Sequence, residues 1–150
     1  MARKKEFFMD YATHAFVRYA SIGRPTREEY EQRVREDCYR RLALLPPDVI
    51  VNKANGEVSA REPLLKDIDA VNRVLRILAE NNKHHIADAI KAVYFTPPCQ
   101  MPKRGAIVAR VRRFAMEYPC SLSSAYRWLK SARLLFAQIR GLDTGSWETR

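Results

Sequence analysis

YPCSLSSAYRWLKSARLLFAQIRGL, residues 118–142, opens on a stop, continues through a polar cap and then holds one helical pattern to its end. Tyr118-Pro119 ends whatever precedes it, and Ser121 has the chemistry of an N-cap. Leu122, Ala125, Leu129, Ala132, Phe136 and Ile139 recur at the spacing of a buried helical stripe, and Gly141 supplies the stop. The segment just before it, GAIVARVRRFAME (105–117), places Ile107, Val108, Val111, Phe114 and Ala115 on one face. A short helix, a tight four-residue turn and a longer Ser-capped helix make the layout of a helix-turn-helix, whose second helix enters the major groove N-terminal end first. With Leu122, Ala125 and Leu129 buried, Ser123, Ser124, Arg127, Lys130 and Ser131 share the outward side. Ser123, Ser124, Arg127 and Lys130 are therefore the expected base readers, with Arg127 the long donor suited to guanine.

Charge supports a polyanionic partner. The 150-residue chain carries a net +10, concentrated in one place: residues 103–142 hold nine basic side chains against Glu117 alone, a local +8, while residues 1–60 hold +2 and residues 61–102 hold +1. Lys103, Arg104, Arg110, Arg112, Arg113 and Arg133 are the expected phosphate contacts, which orient a domain on a duplex without reading its sequence.

Upstream, the same periodicity gives an all-α chain. Phe8, Tyr11, Ala12, Ala15, Phe16, Tyr19 and Ala20 predict a helix over 4–21, closed by SIGRP (21–25). Thr26 and Glu29 have capping-box spacing, and a second helix from there runs to about Leu45, where Pro46 and Pro47 stop it. These two helices are expected to pair as a hairpin over 1–46. Residues 47–63 are expected to be a linker, because the β-branched run beside Asn55-Gly56 suits a small hairpin or an ordered loop. Pro63 then opens a helix carrying Leu64, Leu65, Ile68, Val71, Leu75 and Leu78 and closed by Asn81-Asn82, with Asp67 and Asp69 near its positive end. Another helix from His84 to Phe95 leads through TPPCQMPKR to the helix-turn-helix, so that 64–142 forms the nucleic-acid-binding bundle, with 105–140 its helix-turn-helix, and 143–150 a flexible tail.

Other chemistries find little purchase. Cys38, Cys99 and Cys120 form no CxxC pair and suit free thiols in the reducing cytoplasm. His84-His85 with Cys99 and Cys120 matches no zinc spacing, since adjacent helical residues point about 100° apart. Asp67 and Asp69, two apart on a helix, do not converge on a metal, and there is no Gly-rich phosphate loop, HExxH or GxSxG. No enzyme, metal or cofactor is expected. The start MARKKEFFMDYATHAF is interrupted by Asp10, His14 and Arg18 and reads as neither a signal peptide nor a membrane span. Tyr126 and Trp128 flank Arg127; Trp128 is expected to pack at the core edge beside Leu129 and Ala132.

These residues also carry a resemblance. SLSSAYRWLKSAR (121–133) resembles the recognition helix of the C-terminal helix-turn-helix of bacterial sigma factors, through Ser121, Ser124, Ala125, Tyr126, Arg127 and Leu129. The wider layout, DIDAVNRVLRILAENNKHHIADAIKAVYF (67–95) followed by the basic helix-turn-helix and LLFAQIRGL (134–142), is similar to small phage and prophage transcriptional activators of the ArpU and RinA type. The likeness spans about residues 64–142. It departs from the pattern in a longer, very basic first helix and in Tyr118-Pro119, where a glycine or polar residue is commoner. The resemblance implies a transcription regulator of bacterial promoters that binds double-stranded DNA and works in reach of RNA polymerase. The N-terminal apolar stripes could close the core or form a homodimer face. Two rival readings stay open: an RNA- or polymerase-binding antiterminator-like factor or phage packaging adaptor, and a helical protein-interaction module with a basic face.

Overall fold

The structure is a computed structural model that describes the backbone of residues 2–97, 103–142 and 144, and the side chains of residues 7–97, 103, 105–142 and 144. The described residues are all-α, in seven helices: α1 (Ala2–Ser21), α2 (Arg27–Arg41), α3 (Pro47–Ala60), α4 (Glu62–Glu80), α5 (His84–Tyr94), α6 (Arg104–Glu117) and α7 (Leu122–Arg140). None of them is long and apolar enough to cross a membrane. The chain divides into two compact units, one made of residues 25–69 and the other of residues 1–24 and 70–150.

The smaller unit holds α2, α3 and the start of α4. Thr26 closes the expected capping box: its hydroxyl accepts from the Glu29 amide at 3.1 Å while Glu29 Oε1 accepts from the Thr26 amide at 2.8 Å. Val34 and Cys38 of α2 are buried, as are Ile50, Ala54 and Val58 of α3. Arg27 bonds both carboxylate oxygens of Glu62, at 2.9 and 2.7 Å, and Asp69 at 3.1 Å. Arg41 bonds Glu57, at 2.6 and 2.8 Å, and Asp37 at 2.8 Å, which holds both carboxyls below their ordinary range. These charges are exposed enough that they fix geometry more than they add stability. Burial, then a bond to Glu57, pushes the Cys38 thiol up.

Four expectations are corrected here. Residues 47–63 are not a linker: 47–60 form α3, in which Pro47 takes the first helical position and Asp48 lies in the first turn. Ile50, Ala54 and Val58 repeat every four residues, and that apolar face overrides the turn preference of Asn55-Gly56. The prolines therefore start α3 rather than stop α2, which ends at Arg41. The hairpin is made by α2 with α3, whereas α1 packs on α5 and α7 in the other unit. Asp69 is a partner of Arg27 seven residues into α4, not an acid of its first turn. Gly56 sits in the interior of α3 with open space around an added Cβ. Gly56→Ala is accordingly expected to raise stability by ~0.5–1 kcal/mol in urea denaturation; a loss would mean that the segment turns there.

The larger unit is a bundle in which α1 packs on α5 and α7, and α5, α6 and α7 pack on one another. Its core is aromatic: Phe16 stacks on Tyr94 with ring centroids 5.6 Å apart and meets Phe136 of α7 at 5.6 Å. Val71 and Val74 of α4, Ile90 and Val93 of α5, and Val111 of α6 are fully buried. Tyr19 donates its hydroxyl to Asn72 Oδ1 at 2.7 Å, joining α1 to α4 within the unit. The tail expected to be flexible lies outside the described residues apart from Thr144, which is buried to 1% exposure.

Candidate nucleic-acid interface

Helix α7 begins as its sequence requires. Ser121 has extended backbone and its Oγ accepts from the Ser124 amide at 3.0 Å, meeting one of the amide donors that a helix start leaves unpaired. At the far end Gly141 is left-handed, φ 82°, and the Leu142 amide reaches back to the Ala137 carbonyl at 2.9 Å. The turn between α6 and α7 holds no left-handed residue: Tyr118 sits at φ −94°, ψ 10°, a conformation open to a large side chain. That explains why tyrosine can occupy a place where glycine is commoner. Its ring is used as well, stacking on Phe114 at 5.1 Å and meeting the edge of Trp128 at 5.8 Å.

Trp128 is the lock of this arrangement. Half-buried, it packs edge-on to His85 at the start of α5 (4.6 Å), to Phe114 of α6 (6.2 Å) and to Tyr118 in the turn. The expected neighbours Leu129 and Ala132 lie deeper, both buried. An aromatic cluster drawn from α5, α6, the turn and α7 thus sets the angle between the two helices of the motif.

Four of the outward residues of α7, Ser123, Arg127, Lys130 and Ser131, are exposed. Ser124 is half-buried, and its hydroxyl accepts from Ser121 Oγ at 2.9 Å and from Arg127 Nη2 at 3.3 Å. Leu122, expected to be buried, is 44% exposed and stands beside Met116 and Cys120 at the rim of an open depression. As the first residue of α7 it precedes the stretch where the helix lies on the bundle, so the apolar stripe begins at Ala125.

The six expected phosphate contacts separate into different environments. Arg112 and Arg113 are exposed on α6, and Lys103 is exposed just ahead of it. Arg110 is half-buried and donates from Nη1 to the Val93 carbonyl at 2.9 Å, in the last turn of α5, where a cation suits the negative end of the helix. Arg133 is half-buried with its Nε enclosed and without a hydrogen-bond partner. The side chain of Arg104 lies outside the described residues, as does Cys99. Cys38 and Cys120 are free thiols, and among the described residues no three His, Cys, Asp or Glu side chains come together to hold a metal.

Charge also distinguishes the smaller unit from the segment that holds α6 and α7. Residues 25–69 carry eight basic and ten acidic side chains, while Glu117 is the single acid of residues 103–142. The positive charge is thus concentrated on the segment that holds α6 and α7. No protein-family model, no curated protein and no solved structure matches this chain.

Proposed function

We propose that this protein is a DNA-binding transcription regulator of the phage or prophage type, acting in the cytoplasm and reading double-stranded DNA with the N-terminal half of α7. The observation that carries this reading is the conjunction of a Ser-capped helix, locked at its turn by Trp128, with an exposed face of Ser123, Arg127 and Lys130, in a segment of charge +8. A helix start directed at a duplex offers short polar groups and one long bidentate donor to base edges. Arg112 and Arg113 on α6, with Lys103, supply cations suited to the flanking phosphates. Arg110 is left out of that set, because it serves the end of α5.

Fluorescence-anisotropy titration against the DNA upstream of its own gene and a scrambled duplex, over a salt series, tests the proposal. The expected result is an affinity that falls steeply with salt and a specificity ratio of at least ~10³. Equal affinity for both duplexes would remove the claim of sequence reading and leave only a basic surface.

A further inference from the structure

The exposed face of α7 is not wholly polar. Tyr126 is 41% exposed and Leu122, one turn before it, 44%, so two large side chains at i and i+4 are partly uncovered, Leu122 at the border of the buried stripe. Beyond Leu122 the strip continues to Met116, 82% exposed at the end of α6. Around the helix, at about 100° per residue, Lys130 and Ser123 fall at the centre of the exposed face, with Tyr126 roughly 40° to one side and Arg127 roughly 60° to the other. Tyr126 and Arg127 therefore flank the same surface from opposite sides, with Leu122 roughly 40° beyond Tyr126 at its edge.

The chemistry bordering the strip selects its occupant. Arg112 lines the same depression as Leu122, Met116, Ala115 and Cys120, none of them a carboxylate, and Lys130 lies one turn beyond Tyr126. Such a border suits a polyanion. Of the base-edge groups that a major groove displays, the thymine 5-methyl is the apolar one. We propose that Leu122 and Tyr126 read thymine methyl groups beside the base read by Arg127, so that the recognised half-site joins a guanine to one or more thymines. This rests on the reading of α7 as a major-groove helix.

The test begins with selection of duplexes from a random pool by the full-length protein, followed by single replacement of each thymine in the winning sequence by deoxyuridine, which lacks only the methyl. One or two positions are expected to weaken binding roughly four-fold each, the equivalent of one buried methyl group. That sensitivity should vanish in Leu122→Gln or Tyr126→Ser and persist in Arg127→Ala. Both side chains are exposed, and circular dichroism melts confirm that the variants fold. If no duplex is enriched, the DNA reading itself falls and the proposal with it. If a duplex is enriched but all deoxyuridine substitutions leave affinity within two-fold, or the sensitivity survives in both variants, the DNA reading stands and the thymine assignment is overturned.

Discussion

Phe136→Ala is expected to destabilise the unit that carries α7 by ~3–5 kcal/mol, the cost of deleting a buried aromatic side chain whose surroundings cannot fully collapse. Phe136 is fully buried and is the α7 residue on which two α1 aromatics converge, with Phe16 at 5.6 Å and Tyr11 stacked at 6.2 Å. Removing the ring takes one aromatic contact from each and opens a cavity in the core they share with Tyr94. Urea denaturation followed by circular dichroism should show a lower midpoint, and a thermal melt should fall by roughly 2–4 °C for each kcal/mol lost. The proposed DNA binding should fail above the new melting temperature and persist below it, since Phe136 is fully buried. A loss below ~1 kcal/mol would instead place the ring at a site the bundle can repack, and α1 would then not be anchored through α7.

The same contact marks the boundary of what periodicity can tell. The stripes of α1, α4, α5, α6 and α7 are visible in the order of residues, because a helix that buries one face must repeat apolar residues every three or four positions, and capping chemistry marks both ends of α7 at Ser121 and Gly141 and the start of α2 at Thr26. Which stripe meets which is not periodic information. The pairing of α2 with α3 depends on recognising α3 as a helix, and there Val49-Ile50-Val51 and Asn55-Gly56 give a local β signal against a four-residue apolar repeat with a smaller residue, Ala54, at its centre. The repeat was the better guide, since burial of a face outweighs turn propensity.

At the interface, the outward positions of Ser123, Arg127 and Lys130 follow from the phase of α7, but phase alone assigns Leu122 to the core. Burial needs a neighbour as well as a direction, and the first residue of α7 is left partly uncovered. Similarly, composition cannot tell an arginine that faces solvent from one that ends a neighbouring helix. Arg110 and Arg112 are two apart in one basic run, and α6 turns the first to the Val93 carbonyl and the second to solvent.

That difference makes three arginines of one basic segment a test of the proposed mechanism. Arg127→Ala is expected to weaken binding to the selected duplex by ~1–3 kcal/mol and to relax preference at one base pair, with little change on random DNA, because a bidentate contact to a base edge is lost and no phosphate contact with it. Arg112→Ala should weaken selected and random duplexes alike and lower the slope of log affinity against log salt by ~1, as one neutralised phosphate fewer releases one counterion fewer. Arg110→Ala should do neither at first. Its guanidinium satisfies the Val93 carbonyl inside the bundle, so its removal costs about 1–3 kcal/mol of stability and affects binding only through the folded fraction. Anisotropy titrations at three salt concentrations, paired with a urea melt of each variant, separate the outcomes. Equal losses on selected and random DNA for Arg127→Ala would move it from the base-reading set to the phosphate set. An unchanged salt slope for Arg112→Ala would take Arg112 off the proposed DNA backbone contacts and leave Arg113 and Lys103 to be tested in the same way.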